Sequence, residues 1–102
     1  MPSKAPLAFQ SESRLLADLG ERLRLARLRR RLTATTVALR CDISRPTLVK
    51  VERGDPSVTL GTYLRVLAIY GLDGDLAAVA GDDALGRRLQ DLALPTPRKG
   101  RR

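Results

Sequence analysis

The chain has no histidine and no tryptophan, and among its 102 residues it holds one cysteine, one phenylalanine and two tyrosines. Without histidine the commonest general base and metal ligand is missing. No glycine-rich phosphate loop or paired-carboxylate motif takes its place, so no catalytic constellation is present and neither an enzyme nor a cofactor is expected. Cys41 has no second cysteine to pair with, which excludes an intramolecular disulfide and argues against a metal site. It is expected to fill core on the inner side of a helix, in a reducing cytoplasm. Aromatics at 3% supply no stacking platform for single-stranded RNA. No apolar run approaches membrane-spanning length, and the first six residues lack a signal peptide's apolar region, so the expectation is a soluble, cytoplasmic protein with no membrane partner. A membrane-surface helix over residues 14–31 would need the apolar face that the core requires.

What is present is leucine, alanine and positive charge. With 43% apolar residues the chain suits one small domain, and without alternating runs of branched residues the fold class expected is all-α. The net charge of +8 is uneven: residues 1–54 and 87–102 hold 18 of the 19 basic side chains, whereas residues 55–86 hold one against five acids. A basic part and an acidic part suggest a face for phosphate and a separate face for protein contacts or solubility.

The organisation expected is a flexible N-terminal arm (1–12, with Phe9), a five-helix domain (13–81) and a C-terminal extension (82–102). In the first helix, residues 13–31, Leu15, Leu16, Leu19, Leu23 and Ala26 recur on one face. Residues 33–41 and 44–53 form the second and third helices, with Thr33 and Ser44 as N-caps and Asp42 turning the chain between them in a left-handed conformation. Thr59 caps a fourth helix, with Leu60, Tyr63, Leu64 and Leu67 inward and Gly71 at its end. Residues 73–80 form a fifth, and a short sixth spans 83–92. Pro95 and Pro97 then end regular structure before a basic disordered tail, 98–102. Leu25 and Leu28 on the first helix, and Val66 and Ile69 on the fourth, fall off these faces and are expected to form a protein interface.

Leu32-Thr33, Ala38, Ile43-Ser44-Arg45, Thr47 and Glu52-Arg53-Gly54 resemble the helix-turn-helix of the Xre family, which includes the lambda and 434 repressors and Cro. The resemblance extends from about Gly20 to Leu72. It implies a compact helix-turn-helix domain whose third helix enters the major groove of double-stranded DNA, placing Arg45, Pro46, Thr47 and Lys50 at the base edges. Arg45 and Lys50 can donate to guanine O6 and N7, and Thr47 can meet a thymine methyl or a phosphate. Pro46 departs from the family's polar residue, so readout there is apolar or absent. Thr33, Thr35, Ser44 and Arg53 are the candidates for phosphate positioning. The family commonly has a polar amide at the position of Ala34 and Glu or Gln at that of Thr36, so a phosphate contact and a capping box are both missing here. Arg27 and Glu52 match a largely buried ion pair of 434-type repressors and are assigned a structural role.

The resemblance implies a homodimeric, nucleoid-associated transcriptional repressor on a palindromic operator. Residues 86–95 and the basic tail also resemble the extension of HipB-type antitoxins. That implies autoregulation and a HipA-like serine/threonine kinase toxin as partner. A stand-alone Xre-type regulator without a toxin, and a toxin-neutralising module with secondary DNA binding, are the alternatives.

Overall fold

The computed structural model describes residues 9–92; the expectations for residues 1–8 of the arm and for the tail after residue 92 lie outside them. Every regular element described is helical: α1 (Gln10–Arg29), α2 (Ala34–Cys41), α3 (Arg45–Arg53), α4 (Leu60–Ile69), a 3-10 helix (Asp73–Ala78) and α5 (Ala84–Asp91). The fold class is all-α.

The first four helices end alike. A left-handed residue reverses the chain, and the next N–H reaches back to a carbonyl five residues earlier: Leu32 to Arg27 (3.2 Å), Ile43 to Ala38 (3.0 Å), Asp55 to Lys50 (3.0 Å) and Leu72 to Leu67 (2.9 Å). The left-handed residues are Arg31, Asp42, Gly54 and Gly71. Leu32, Ile43 and Leu72, which follow three of them, pack against the core. Arg31 therefore closes α1 instead of extending it, and the helix stops at Arg29, two residues short of the end expected. At its other end α1 starts at Gln10, before the Ser13 expected, with Glu12 in the first turn where the helix dipole favours an acid.

Three helices also begin alike. Thr33, Ser44 and Thr59 each accept from the backbone N–H three residues on, at 3.1 Å. In each case a threonine hydroxyl at that later position also meets the cap hydroxyl, at 2.9–3.0 Å. The Glu or Gln of a full capping box is absent, and Thr36, Thr47 and Thr62 supply the second contact.

α1 crosses the C-terminal end of α3, α2 packs on α3 and α4, and the 3-10 helix lies against α4. Their shared core is Leu23, Ala26, Val37, Ala38, Cys41, Leu48, Val51, Tyr63, Val66 and Tyr70. Gly20 permits the α1–α3 crossing: a Cβ there would lie 2.7 Å from the Val51 carbonyl oxygen. Gly54 is needed twice, because its φ is +72° and a Cβ would strike the Leu16 carbonyl.

α4 is turned only in part relative to the expectation: Tyr63 and Leu67 face inward as expected. Its buried stripe is Tyr63, Val66 and Tyr70, so Val66, expected on an outer surface, is wholly buried, and Ile69, expected beside it, packs against the core. Leu60, expected inward, is exposed, as is Leu15 on α1. The helix is apolar on two faces, and contact with α2 decides which one turns in. Of the interface residues expected, Leu25 and Leu28 are exposed. The segment after α4 is a 3-10 helix of six residues in place of the expected α-helix over 73–80.

Candidate nucleic-acid interface

α3 is amphipathic around a narrow buried side. Leu48 and Val51 face the core, and the outer face carries Pro46, Val49, Lys50 and Arg53, at the i, i+3, i+4, i+7 spacing of one helix surface. Pro46 occupies the first turn, where no intrahelical N–H is lost. Arg45 stands at the edge of this face and donates to the Thr35 hydroxyl at 2.7 Å, joining the first turns of α2 and α3. Ser44 and Thr33, the two caps, are exposed beside them. The arrangement brings Arg45, Pro46, Lys50, Arg53, Thr33, Thr35 and Ser44 to one exposed region. Thr47 is only partly exposed, and its hydroxyl is engaged with Ser44.

Val49 was missed by the motif comparison. It is 40% exposed on the outer face of α3 between Pro46 and Arg53. Its spacing from Leu48 and Val51, which takes it off the buried stripe, is the signal that identifies it. An apolar side chain there suits a thymine methyl. Asp55 was also missed. Its carboxylate accepts from Ser57 N–H at 2.8 Å. That bond holds its pKa below the usual carboxylate value, and nearby Lys50 and Arg53 lower it further.

α3 is held in place from behind. Arg27 Nε donates to Glu52 Oε2 at 2.8 Å and Nη2 to Oε1 at 3.1 Å, a two-pronged pair with side chains 14% and 11% exposed. The same guanidinium donates through Nη1 to the Leu32 carbonyl, 3.2 Å away. One side chain thus ties the end of α3 and the α1–α2 connection to α1. The Glu52 carboxylate raises the Arg27 pKa still further against the opposing effect of burial, so this cation stays charged and committed.

Arg30, one turn from Arg27 at the end of α1, has a similar task. It donates to Ala26 O (3.0 Å) and Tyr70 O (3.1 Å) and lies 5.3 Å from the Tyr70 ring centroid. Cys41 is buried; desolvation raises its thiol pKa, and Arg65 bonds its carbonyl at 3.1 Å. This is a core position, not a reactive one. Among the described residues no group of acidic, cysteine or histidine side chains has metal-site geometry, and no helix is long and apolar enough to cross a membrane.

Comparison with known proteins finds one family model, a helix-turn-helix domain, matching residues 18–80. No curated protein and no solved structure matches the chain. The matched span runs from within α1 through the 3-10 helix and contains every residue of the basic α2–α3 region. The chain therefore belongs to the helix-turn-helix domain family, as a DNA-binding protein of the Xre-like kind.

Proposed function

We propose that the chain is a sequence-specific transcriptional repressor that binds a palindromic operator as a homodimer and represses its own gene. The observation that carries this is the outer face of α3, where Lys50, Arg53 and the flanking Arg45 surround the apolar pair Pro46 and Val49 while Leu48 and Val51 anchor the opposite side. Arg45 and Lys50 are the base readers, donating to guanine, and Pro46 with Val49 reads apolar edges. Thr47 supports the first turn of α3 and presents its methyl. Thr33, Thr35, Ser44 and Arg53 position the backbone, with the N-termini of α2 and α3 directed at phosphates.

The test is binding of the full chain to its own upstream DNA across a salt series, beside the Arg45→Ala/Lys50→Ala variant. Specific binding is expected for the parent and only weak, salt-dependent binding for the variant. Equal, weak binding to all DNA by both proteins would refute the reading.

A narrower role, as antitoxin to a HipA-like serine/threonine kinase, draws on the extension alone. Its support is the likeness of residues 86–95 and the basic tail to the extension of HipB-type antitoxins. Retention of such a kinase by the full chain, lost on removal of residues 82–102, is its test.

A further inference from the structure

α5 is a formed helix that no other described element covers. Asp83 caps it, accepting from Gly86 N–H at 2.9 Å. Leu85, Leu89 and Leu92 lie along one side, at 67%, 41% and 72% exposure, and no residue of the helix is buried. The linker holds the helix out from the body: Ala80 is left-handed at φ +59°, and Gly81 N–H returns to the Ala78 carbonyl at 3.0 Å.

The body has an open groove of about 430 Å³ between α1, α4 and the 3-10 helix. Leu19, Leu67 and Leu76 line it, and Leu60 and Val79 stand at its rim, each 66% exposed. Leu60 is the α4 leucine turned away from the core, whereas Leu19 and Leu67 touch the core from the groove's floor. One wall is basic, with Arg22 and Arg29 of α1, and the opposite wall carries Asp75.

We infer that α5 of one copy seats its leucine stripe in this groove of a second copy, reciprocally, to form a two-fold dimer. The inference deepens the proposed repressor by naming its dimer surface, and rests on that reading for the two-fold symmetry. Three features favour this occupant. The stripe is present once per groove in every chain, so a two-fold pair covers both stripes and both grooves. Leu85 to Leu92 spans about 10 Å of helix, presenting three leucines in register to an apolar trough. The charges are complementary in sign: Arg88 of α5 would be offered to the Asp75 wall, and the acidic start of α5, where exposed Asp82 pairs with Arg87 of its own chain at 2.7 Å, to the wall of Arg22 and Arg29.

The experiment is the sedimentation mass of the full chain, its Leu89→Asp variant and its Leu60→Asp/Val79→Asp variant. The parent is expected at twice the chain mass of 11.2 kDa. Each variant should be monomeric or weakened about 30-fold or more, as when an interface anchor is lost. The altered side chains are all exposed, so far-ultraviolet circular dichroism and Tm should stay near the parent's and show that both variants fold. A monomeric parent overturns the inference. So does a dimer that survives either variant: loss with Leu89→Asp alone would mean that α5 pairs with something other than the groove. DNA binding is scored separately with Arg45→Ala/Lys50→Ala. A dimer without operator binding refutes the repressor and leaves the interface standing, whereas specific binding by a monomer refutes the interface and the homodimer and leaves only DNA recognition by α3.

Discussion

The Arg27–Glu52 pair makes a sharp energetic prediction, because both side chains are almost removed from water and yet unequally bonded. Glu52→Gln keeps the shape and leaves the Arg27 cation beside an uncharged partner, while the bond from Arg27 to the Leu32 carbonyl survives. Breaking a fully buried pair by removing one partner costs about 3–5 kcal/mol; with the remaining exposure of 14% and 11%, a loss of about 3 kcal/mol is expected. Arg27→Met should cost about 1 kcal/mol more, since it strands the carboxylate and the Leu32 carbonyl together. For a domain of this size each kcal/mol lowers Tm by about 4–8 °C, so Glu52→Gln should fall by about 12–24 °C. The double variant Arg27→Met/Glu52→Leu should recover most of the loss, because two apolar side chains replace the pair without an orphaned charge. The assay is a double-mutant cycle by urea unfolding and thermal melting, at low and high salt. Raised salt should change the cycle little, unlike an exposed pair such as Arg24–Glu21. Single variants that cost under about 1 kcal/mol, or losses that simply add in the double, would refute the argument.

Gly20→Ala places a Cβ 2.7 Å from one carbonyl oxygen of α3 and 2.8 Å from another, with no flexible side chain to yield, and should cost about 1–3 kcal/mol by chemical denaturation. Gly61→Ala, on the open side of α4, should be neutral or slightly stabilising in the same assay. With no tryptophan in the chain, the two tyrosines can be titrated cleanly by ultraviolet absorbance. Burial raises both phenols above their ordinary pKa of 10, Tyr70 to about 12. A raised folded pKa means that Tyr70's stabilisation is complete below pH 10 and is lost between pH 10 and about 12, so alkaline unfolding should accompany its ionisation. A phenol that titrates near 10 in the folded protein would contradict its burial.

How much of this was legible in the sequence depends on the range of the interaction. Helix starts could be read because a cap acts within three residues: Thr33, Ser44 and Thr59 sit where expected. Asp42 could be read as a turn, because Asp tolerates a left-handed backbone and stands between two apolar stripes. Arg31 in the same conformation could not, because nothing in an arginine side chain favours it. It is held by the backbone closure from Leu32 to Arg27 and by the packing of Leu32 on the core. The outer face of α3 was partly visible from the motif, but Val49 emerged only once Leu48 and Val51 had fixed the helix's rotation.

By itself, then, the sequence determined the all-helical class, the places where helices α2 to α4 begin, the absence of a catalytic histidine and the concentration of basic side chains around the helix-turn-helix. These follow from local backbone chemistry and composition. Tertiary structure decided that Tyr63 and Val66 of α4 became core while Leu60 was left beside the groove, because a helix apolar on two faces chooses only when a neighbour packs against it. It also separated the arginines of α1 into different roles. Arg27 and Arg30 became fasteners because Glu52 and the Tyr70 carbonyl lie across from them, 25 and 40 residues along the chain. The other arginines of that run, with no such partner in reach from the helix surface, remained exposed charge.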